Sequence, residues 1–356
     1  MFLENRRKTR EINVGKVKIG NDNPVSIQSM TNTKTADVVA TVEQIRELSI
    51  IGCDIIRVAV PDLESAEALP KIIEQIDIPL IADIHFDYKL ALKSIENGVD
   101  GLRLNPGNIG SVENVKKVVQ AAKEKNIPIR IGVNSGSLEK EKLEKYGVTA
   151  QAIVESALDH VKILENEEFY NIKISVKGSS VPLTIESYRL LSSKVDYPLH
   201  LGVTEAGTEF QGSIKSSIGI GTLLAEGIGD TIRVSLTSSP LAEIKVAKSI
   251  LRALHLRNGL EIISCPTCGR TNIDLIGLAK QTEEILKEFE DKNLSVAVMG
   301  CVVHGPGEAR EADFGIAGGI NEGLIFQKGE IIKKVAEEKL VPALRELIID
   351  YLKEEY

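Results

Sequence analysis

The chain has 356 residues, 43 % of them apolar, and a formal net charge of −8 with both signs interleaved. That length accommodates two domains, and the composition is that of a folded globular chain without a low-complexity tail. The acidic balance and an aromatic content of 4 % without tryptophan argue against a nucleic-acid-binding surface, and no apolar run is long enough to span a bilayer. The start, Met1 to Lys8, has neither the apolar core nor the cleavage site of a secretory signal, so the expected compartment is the cytoplasm.

Eight short runs rich in Val, Ile and Leu come first: Val25–Met30, Ile55–Val60, Pro79–Ile84, Gly101–Pro106, Pro128–Asn134, Asn171–Gly178, Pro198–Thr204 and Thr231–Thr237. Helical patterns lie between them, among them Asp37–Ile51, Ser111–Lys125, Ala150–Leu164 and Pro240–Leu256. Short strands alternating with helices predict a parallel sheet joined by crossovers. Eight such units within about 255 residues predict a (β/α)8 TIM-type barrel over 1–257. An open doubly wound sheet is the alternative, but no Gly-x-Gly-x-x-Gly links the first run to a helix, and Gly219-x-Gly221 lies in a helix-like stretch.

In such a barrel chemistry gathers at the C-terminal ends of the strands. The polar residues fall there. The second run carries Arg57, the third ends in Asp83-Ile84-His85, and the fourth carries Arg103 and Asn105. The fifth carries Arg130 and Asn134, the sixth Ser175 and Lys177, the seventh His200 with Thr204-Glu205 after it, and the eighth Arg233 and Ser235. Residues two apart on a strand share a face, so several of these point the same way. A buried guanidinium or ammonium is costly unless paired. Four Arg and a Lys stand against mainly Asp83 and Glu205, and a polyanion such as a diphosphate would balance the excess.

The repeating pattern breaks near Asn258-Gly259, and 258–356 read as a smaller α+β domain. It holds strands at Leu260–Ser264, Ser295–Met299, Asp313–Ala317 and Leu324–Gln327, and helices at Asp274–Phe289 and Lys339–Leu352. Three of the four cysteines lie here, as Cys265-x-x-Cys268 and Cys301. In a reducing compartment that grouping signals metal or redox chemistry rather than a disulfide framework. Zinc would take the three thiolates and His304; a [4Fe–4S] cluster would take the thiolates and a weaker fourth ligand, for which Glu308 stands nearest. Spacing leaves both metals open. A thiol–disulfide pair at Cys265 and Cys268 is a third reading, without the strand and helix order that normally surrounds one. Cys53 stands apart and reads as a small buried hydrophobe.

At this point the sequence resembles the bacterial 4-hydroxy-3-methylbut-2-enyl diphosphate synthases of the methylerythritol phosphate route to isoprenoids. The matching segments include Ser26-Ile27-Gln28-Ser29-Met30-Thr31-Asn32-Thr33, Gly52-Cys53-Asp54-Ile55-Ile56-Arg57-Val58, Ala82-Asp83-Ile84-His85-Phe86, Leu102-Arg103-Leu104-Asn105-Pro106-Gly107-Asn108 and Ile131-Gly132-Val133-Asn134-Ser135-Gly136. They continue through Gly202-Val203-Thr204-Glu205-Ala206-Gly207, Ser264-Cys265-Pro266-Thr267-Cys268-Gly269-Arg270 and Met299-Gly300-Cys301 to Glu308-Ala309. The resemblance implies reductive ring opening of 2-C-methyl-D-erythritol 2,4-cyclodiphosphate, with two electrons entering and a hydroxyl leaving as water. It implies a [4Fe–4S] cluster on Cys265, Cys268, Cys301 and Glu308, reduced ferredoxin or flavodoxin as electron donor, and a homodimer in which the cluster domain of one chain caps the barrel of the other. Arg57, Asp83, His85, Arg103, Asn105, Arg130, Asn134, Lys177, Arg233 and Ser235 would then bind substrate, and the cations would hold the charge that develops. Glu205 is the expected proton donor and His85 the second choice, while an iron that Glu308 releases would polarise the departing oxygen. One departure from the family pattern is His304, where Asn is usual; its role stays open. A zinc-stapled barrel that binds a phosphorylated ligand or is a metal-assisted hydrolase, and a non-catalytic phosphate-binding barrel, are the rival readings.

Overall fold

A computed structural model of the chain describes residues 6–105, 109–271, 273–301, 310–319 and 322–354. The chain divides after Arg257 into two compact units, each with its own apolar core. Pro106, Gly107, Asn108, His304 and Glu308 lie outside the described residues.

The first unit opens with a hairpin of β1 (Ile12–Val14) and β2 (Val17–Ile19). Eight parallel strands follow: β3 (Ser26–Met30), β4 (Ile55–Ala59), β5 (Leu80–Asp83), β6 (Gly101–Leu104), β7 (Ile129–Asn134), β8 (Ile172–Lys177), β9 (His200–Leu201) and β10 (Thr231–Ile232). Their order is β8-β7-β6-β5-β4-β3-β10-β9, and a parallel bridge between Ile174 and Leu199 joins the two ends into a barrel. The helices around it are α1 (Val38–Ile50), α2 (Leu63–Ile73), α3 (Tyr88–Glu96), α4 (Val112–Glu124), α5 (Lys140–Tyr146), α6 (Ala150–Glu165), α7 (Val181–Ser192), α8 (Glu209–Ala225) and α9 (Pro240–Ala253). The barrel expected from the alternating runs is the observed fold. Its last two strands pair over fewer residues than their runs suggest. Past Leu201 a Cβ on Gly202 would lie 2.5 Å from Lys177 Nζ and 2.7 Å from the Arg233 carbonyl oxygen.

Period-two alternation explains the two faces. One face of the strands, with Ile56, Val58, Leu102, Ile129, Ile131, Ile172 and Ile174, packs under helix residues such as Ile45, Leu69, Val118, Ile153 and Leu191. Near the strand starts the opposite face carries Ile55 and Ile81, which pack with Ile12, Val14 and Ile19 of the hairpin. The hairpin thus stoppers the N-terminal end of the barrel, an element the sequence analysis did not anticipate. Asp62, Asp87 and Thr149 cap their helices, each side chain accepting from a backbone N–H of the first turn at 2.8, 2.8 and 3.2 Å.

The second unit is a five-stranded sheet of β11 (Glu261–Ser264), β12 (Ser295–Met299), β13 (Phe314–Gly318), β14 (Glu322–Gln327) and β15 (Glu330–Ala336), in that spatial order. The first three run parallel and the last three antiparallel. Helices α10 (Leu275–Ile285) and α11 (Leu340–Glu354) cover it through Leu278, Phe314, Ile316, Val341 and Leu344. The run after Gln327 is a further strand, turned back by Lys328 and Gly329, both at positive φ.

Ile19 is wholly buried in the hairpin stopper. Ile19→Ala should cost about 2–5 kcal/mol in urea unfolding of the barrel; an unchanged midpoint would contradict the stopper.

Candidate active site

At the C-terminal end of the barrel a cavity of about 300 Å³ is lined by Arg57, Arg103, Arg130, Lys177 and Arg233, with Asp83, His85, Asn134 and Ser235. Strand register brings them together: Met30 pairs with Arg57, Asp83 with Arg103, Arg103 with Arg130, and Asn134 with Lys177. Long cationic side chains therefore rise from neighbouring strands at adjacent levels.

Asp83 organises one side. Its Oδ1 accepts from Arg103 Nη1 at 3.1 Å, and its Oδ2 lies 3.5 Å from Arg57 Nε and 3.7 Å from His85 Nε2. Burial alone would raise this carboxyl, but Arg57, His85, Arg103 and Arg130 together hold it well below the ordinary carboxylate range. Arg57 also donates through Nε and Nη2 to Met30 Sδ at 3.2 and 2.9 Å. Across the mouth, Arg233 Nε stands 3.9 Å from Glu243 Oε2, and that carboxylate accepts from the Leu236 N–H at 2.9 Å and from Ser29 Oγ at 3.3 Å. Arg130 Nη1 donates to Ser175 Oγ at 3.5 Å. Lys177 is buried and has no carboxylate partner among the described residues; burial and the neighbouring Arg130 push it well below the usual lysine range. Five cations thus face two carboxylates, Asp83 and Glu243.

Most of the expected barrel residues converge here. Asn105 is buried at the end of β6 and is not among the lining residues. His85 reaches the lining with a half-exposed side chain. Glu205 does not: it follows the lining residue Thr204, is exposed, and has a left-handed backbone with φ of 52°. The second carboxylate is Glu243 of α9, which lies well past the strand end and gave no signal in the sequence. Two glycines, Gly132 within β7 and Gly202 just past β9, also went unread. A Cβ on Gly132 would lie 2.9 Å from Arg103 Nε, and one on Gly202 would strike Lys177. Glycine in or beside a strand marks close approach, and these two make room for the cations.

In the second unit, β11 and β12 run side by side and release Cys265 and Cys301 from the same end of the sheet. Gly300 N–H donates to Cys265 Sγ at 3.1 Å. The Cys268 N–H donates to Thr271 Oγ1 at 3.2 Å, and the Arg270 backbone N–H holds the Cys268 thiol below its ordinary value. All three thiols are free. Amide donors aimed at sulfur favour the thiolate that iron requires, so these residues fit an iron–sulfur ligand set. Among the described residues no three His, Cys, Asp or Glu side chains are gathered closely enough to hold a single metal ion. Cys53, by contrast, is buried in the barrel core, donates to the Ile55 carbonyl at 3.2 Å, and is pushed up to about 12 by burial.

Two outcomes follow from this geometry. Gly202→Ala should displace Lys177 and weaken binding of a diphosphate about tenfold, measured by titration calorimetry. Asp83 has a depressed carboxyl, so its stabilisation is complete above its unfolded value of about 3.9 and fades as pH falls through the folded value. Asp83→Asn should therefore cost about 3–5 kcal/mol at neutral pH by leaving two guanidinium groups unpaired, with the gap to the parent narrowing in acid unfolding experiments.

Comparison with known proteins agrees with both units. The family model described as the GcpE TIM-barrel domain matches residues 9–248, and the model for the GcpE protein C-terminal domain matches residues 261–350. The chain is 65 % identical over 346 residues to a Clostridium perfringens protein named 4-hydroxy-3-methylbut-2-en-1-yl diphosphate synthase (flavodoxin), covering 97 % of this chain and 99 % of that one. It is 63 % identical over 356 residues to the Caldanaerobacter subterraneus protein of the same name, covering 99 % of this chain and 100 % of that one. Among solved structures, a Yersinia pestis dihydropteroate synthase superposes with a TM-score of 0.50 at 12 % identity, over 69 % of this chain and 98 % of that one, which reflects the barrel fold alone. With both family models matched in order along the chain, this protein belongs to the GcpE family.

Proposed function

We propose that the cation-rich mouth of the barrel binds the diphosphate of the family's substrate. The observation that carries this reading is the set of five cations around one cavity, with Asp83 in its lining and Glu243 beside Arg233. The activity is that of an oxidoreductase, 4-hydroxy-3-methylbut-2-en-1-yl diphosphate synthase. It opens 2-C-methyl-D-erythritol 2,4-cyclodiphosphate reductively: two electrons and one proton enter, water leaves, and an internal cyclic diphosphate becomes a terminal one. The organic product therefore carries one more negative charge than the substrate.

That charge change assigns the residues their tasks. Arg57, Arg103 and Arg233 line the mouth with forked donors suited to phosphate oxygens, and Lys177 adds a buried point charge. Asp83 and Glu243 hold Arg57, Arg103 and Arg233 in place, so little reorganisation is needed as charge builds on the departing phosphate oxygen. Asn134 and Ser235 add neutral hydrogen bonds at the same cavity, and Asn105 supports them from the end of β6. His85 Nε2 is the group we assign to deliver the proton, since it reaches the lining where Glu205 does not; Glu205 is the alternative from the strand end beyond Thr204.

Cys265, Cys268 and Cys301 would hold a [4Fe–4S] cluster, with Glu308 as the fourth ligand. When bound, the cluster would pass on the two electrons, one at a time, from the external donor and supply the Lewis acidity that hydroxyl removal needs. Flavodoxin is the electron donor we propose, a homodimer the assembly, and the cytoplasm the location, where thiols stay reduced. No described helix is long and apolar enough to cross a membrane.

Prepared anaerobically, the protein should be brown with about four irons per chain and should turn over the cyclodiphosphate with reduced flavodoxin. Cys265→Ser should lose the iron. Lys177→Met should keep the iron and lose about a hundredfold or more in kcat/KM. A colourless protein with one zinc per chain, or an unaltered kcat/KM in Lys177→Met, would overturn the proposal.

A further inference from the structure

Beneath the mouth the barrel interior holds a second set of polar side chains with no task in the scheme above. Lys173 of β8 is 1 % exposed, and its Nζ has no hydrogen-bond partner. Its register neighbour on β7 is Arg130. On β9, His200 is fully buried, with Nδ1 engaged by Thr231 Oγ1 at 2.8 Å and Nε2 unpartnered. On β3, Gln28 is 1 % exposed, and neither atom of its amide group finds a partner.

The charged groups acting on Lys173 are Arg130, Asp230 and, from β4, Arg57. Two of the three are cations. The carboxylate is already committed: Asp230 accepts from the Leu199 N–H at 2.8 Å, from Thr9 Oγ1 at 3.1 Å and from Arg6 Nη2 at 3.0 Å. On its own strand, Lys173 lies below Ser175 and Lys177, which line the cavity. A buried ammonium without an acceptor, set among other cations, relieves its cost most simply by losing the proton. Burial, followed by Arg130, brings this lysine down to about 7, in agreement with that argument. An anion settling beside Arg130 reverses the field at the same point, and negative potential favours the charged form.

We infer that Lys173 is a positioning residue beneath the diphosphate site, mostly neutral at pH 8 while the mouth holds no anion and protonated when a diphosphate is bound there. The barrel then adds positive charge in step with its ligand, and Arg130 is held between two charges of opposite sign. This inference rests on the reading of the mouth as a diphosphate site. Lys177 and His200 are the competing proton acceptors, and the variants below separate them.

The test is calorimetric titration with inorganic trimetaphosphate, a cyclic phosphate whose own oxygens do not titrate near neutral pH, in pairs of buffers of different ionisation enthalpy. At pH 8 the parent protein should take up close to one proton per bound anion, and its affinity should fall about tenfold per pH unit above the lysine's value. Lys173→Met should bind without that uptake and with a flatter pH profile. Lys173→Arg, which stays charged and tests the same point should the methionine variant not fold, should also bind without uptake and should keep most of the affinity. His200→Asn should retain the uptake. Binding by the parent without proton uptake, or uptake unchanged in the Lys173 variants, overturns the inference alone. Failure of trimetaphosphate to bind the parent overturns the reading of the mouth and the inference with it.

Discussion

Everything at the barrel mouth depends on concentrating positive charge where water is scarce. Arg57 and Arg130 are buried, Arg103 and Arg233 nearly so, and among the described residues only Asp83 and Glu243 stand against the five cations. In a low-dielectric interior such a set is stable only with each guanidinium braced, and the bracing is visible: a carboxylate shared by Arg57 and Arg103, a thioether beneath Arg57, and a second carboxylate beside Arg233. Lys177 and Arg130 are braced least. A site built this way is already polarised for an anion whose charge increases during the reaction, which is the condition that ring opening of a cyclic diphosphate sets.

The architecture makes that concentration affordable. A TIM-type barrel usually fills its centre with branched apolar side chains. Here that filling is confined to one layer, Ile55 and Ile81, completed by the hairpin residues Ile12, Val14 and Ile19. Above it the inward positions of β7 and β8 carry Arg130, Lys173, Ser175 and Lys177. Stability comes instead from the outward faces of the strands, which pack under the helices in one continuous apolar core. Separating the two duties lets the inside of the barrel serve the ligand while the outside holds the fold.

The thiol unit is built by the same economy. Two adjacent parallel strands end together, so cysteines distant in sequence leave from one edge of the sheet, and backbone N–H groups of Gly300 and Arg270 turn toward sulfur. Cys53 shows the opposite environment within one chain: deep among apolar side chains, its thiol is held in the protonated form.

The sequence by itself determined the alternation of strands and helices, the change of pattern near Asn258, and most of the cationic lining, because period-two placement of Arg and Lys at strand ends leaves few other meanings. It also determined the family, through long motifs that keep their order. Tertiary structure alone decided which carboxylate completes the mouth. Glu243 sits on α9 and meets Arg233 and the Leu236 N–H, whereas Glu205, adjacent in sequence to lining residue Thr204, is exposed and is not among the lining residues. Gly132 and Gly202 could be read as space only once Arg103 and Lys177 were seen to occupy it. The isolation of Lys173 belongs to the same class. A strand lysine is ordinary in a sequence, and only closure of the barrel buries it between Arg130 and Arg57, with Asp230 already committed to other donors.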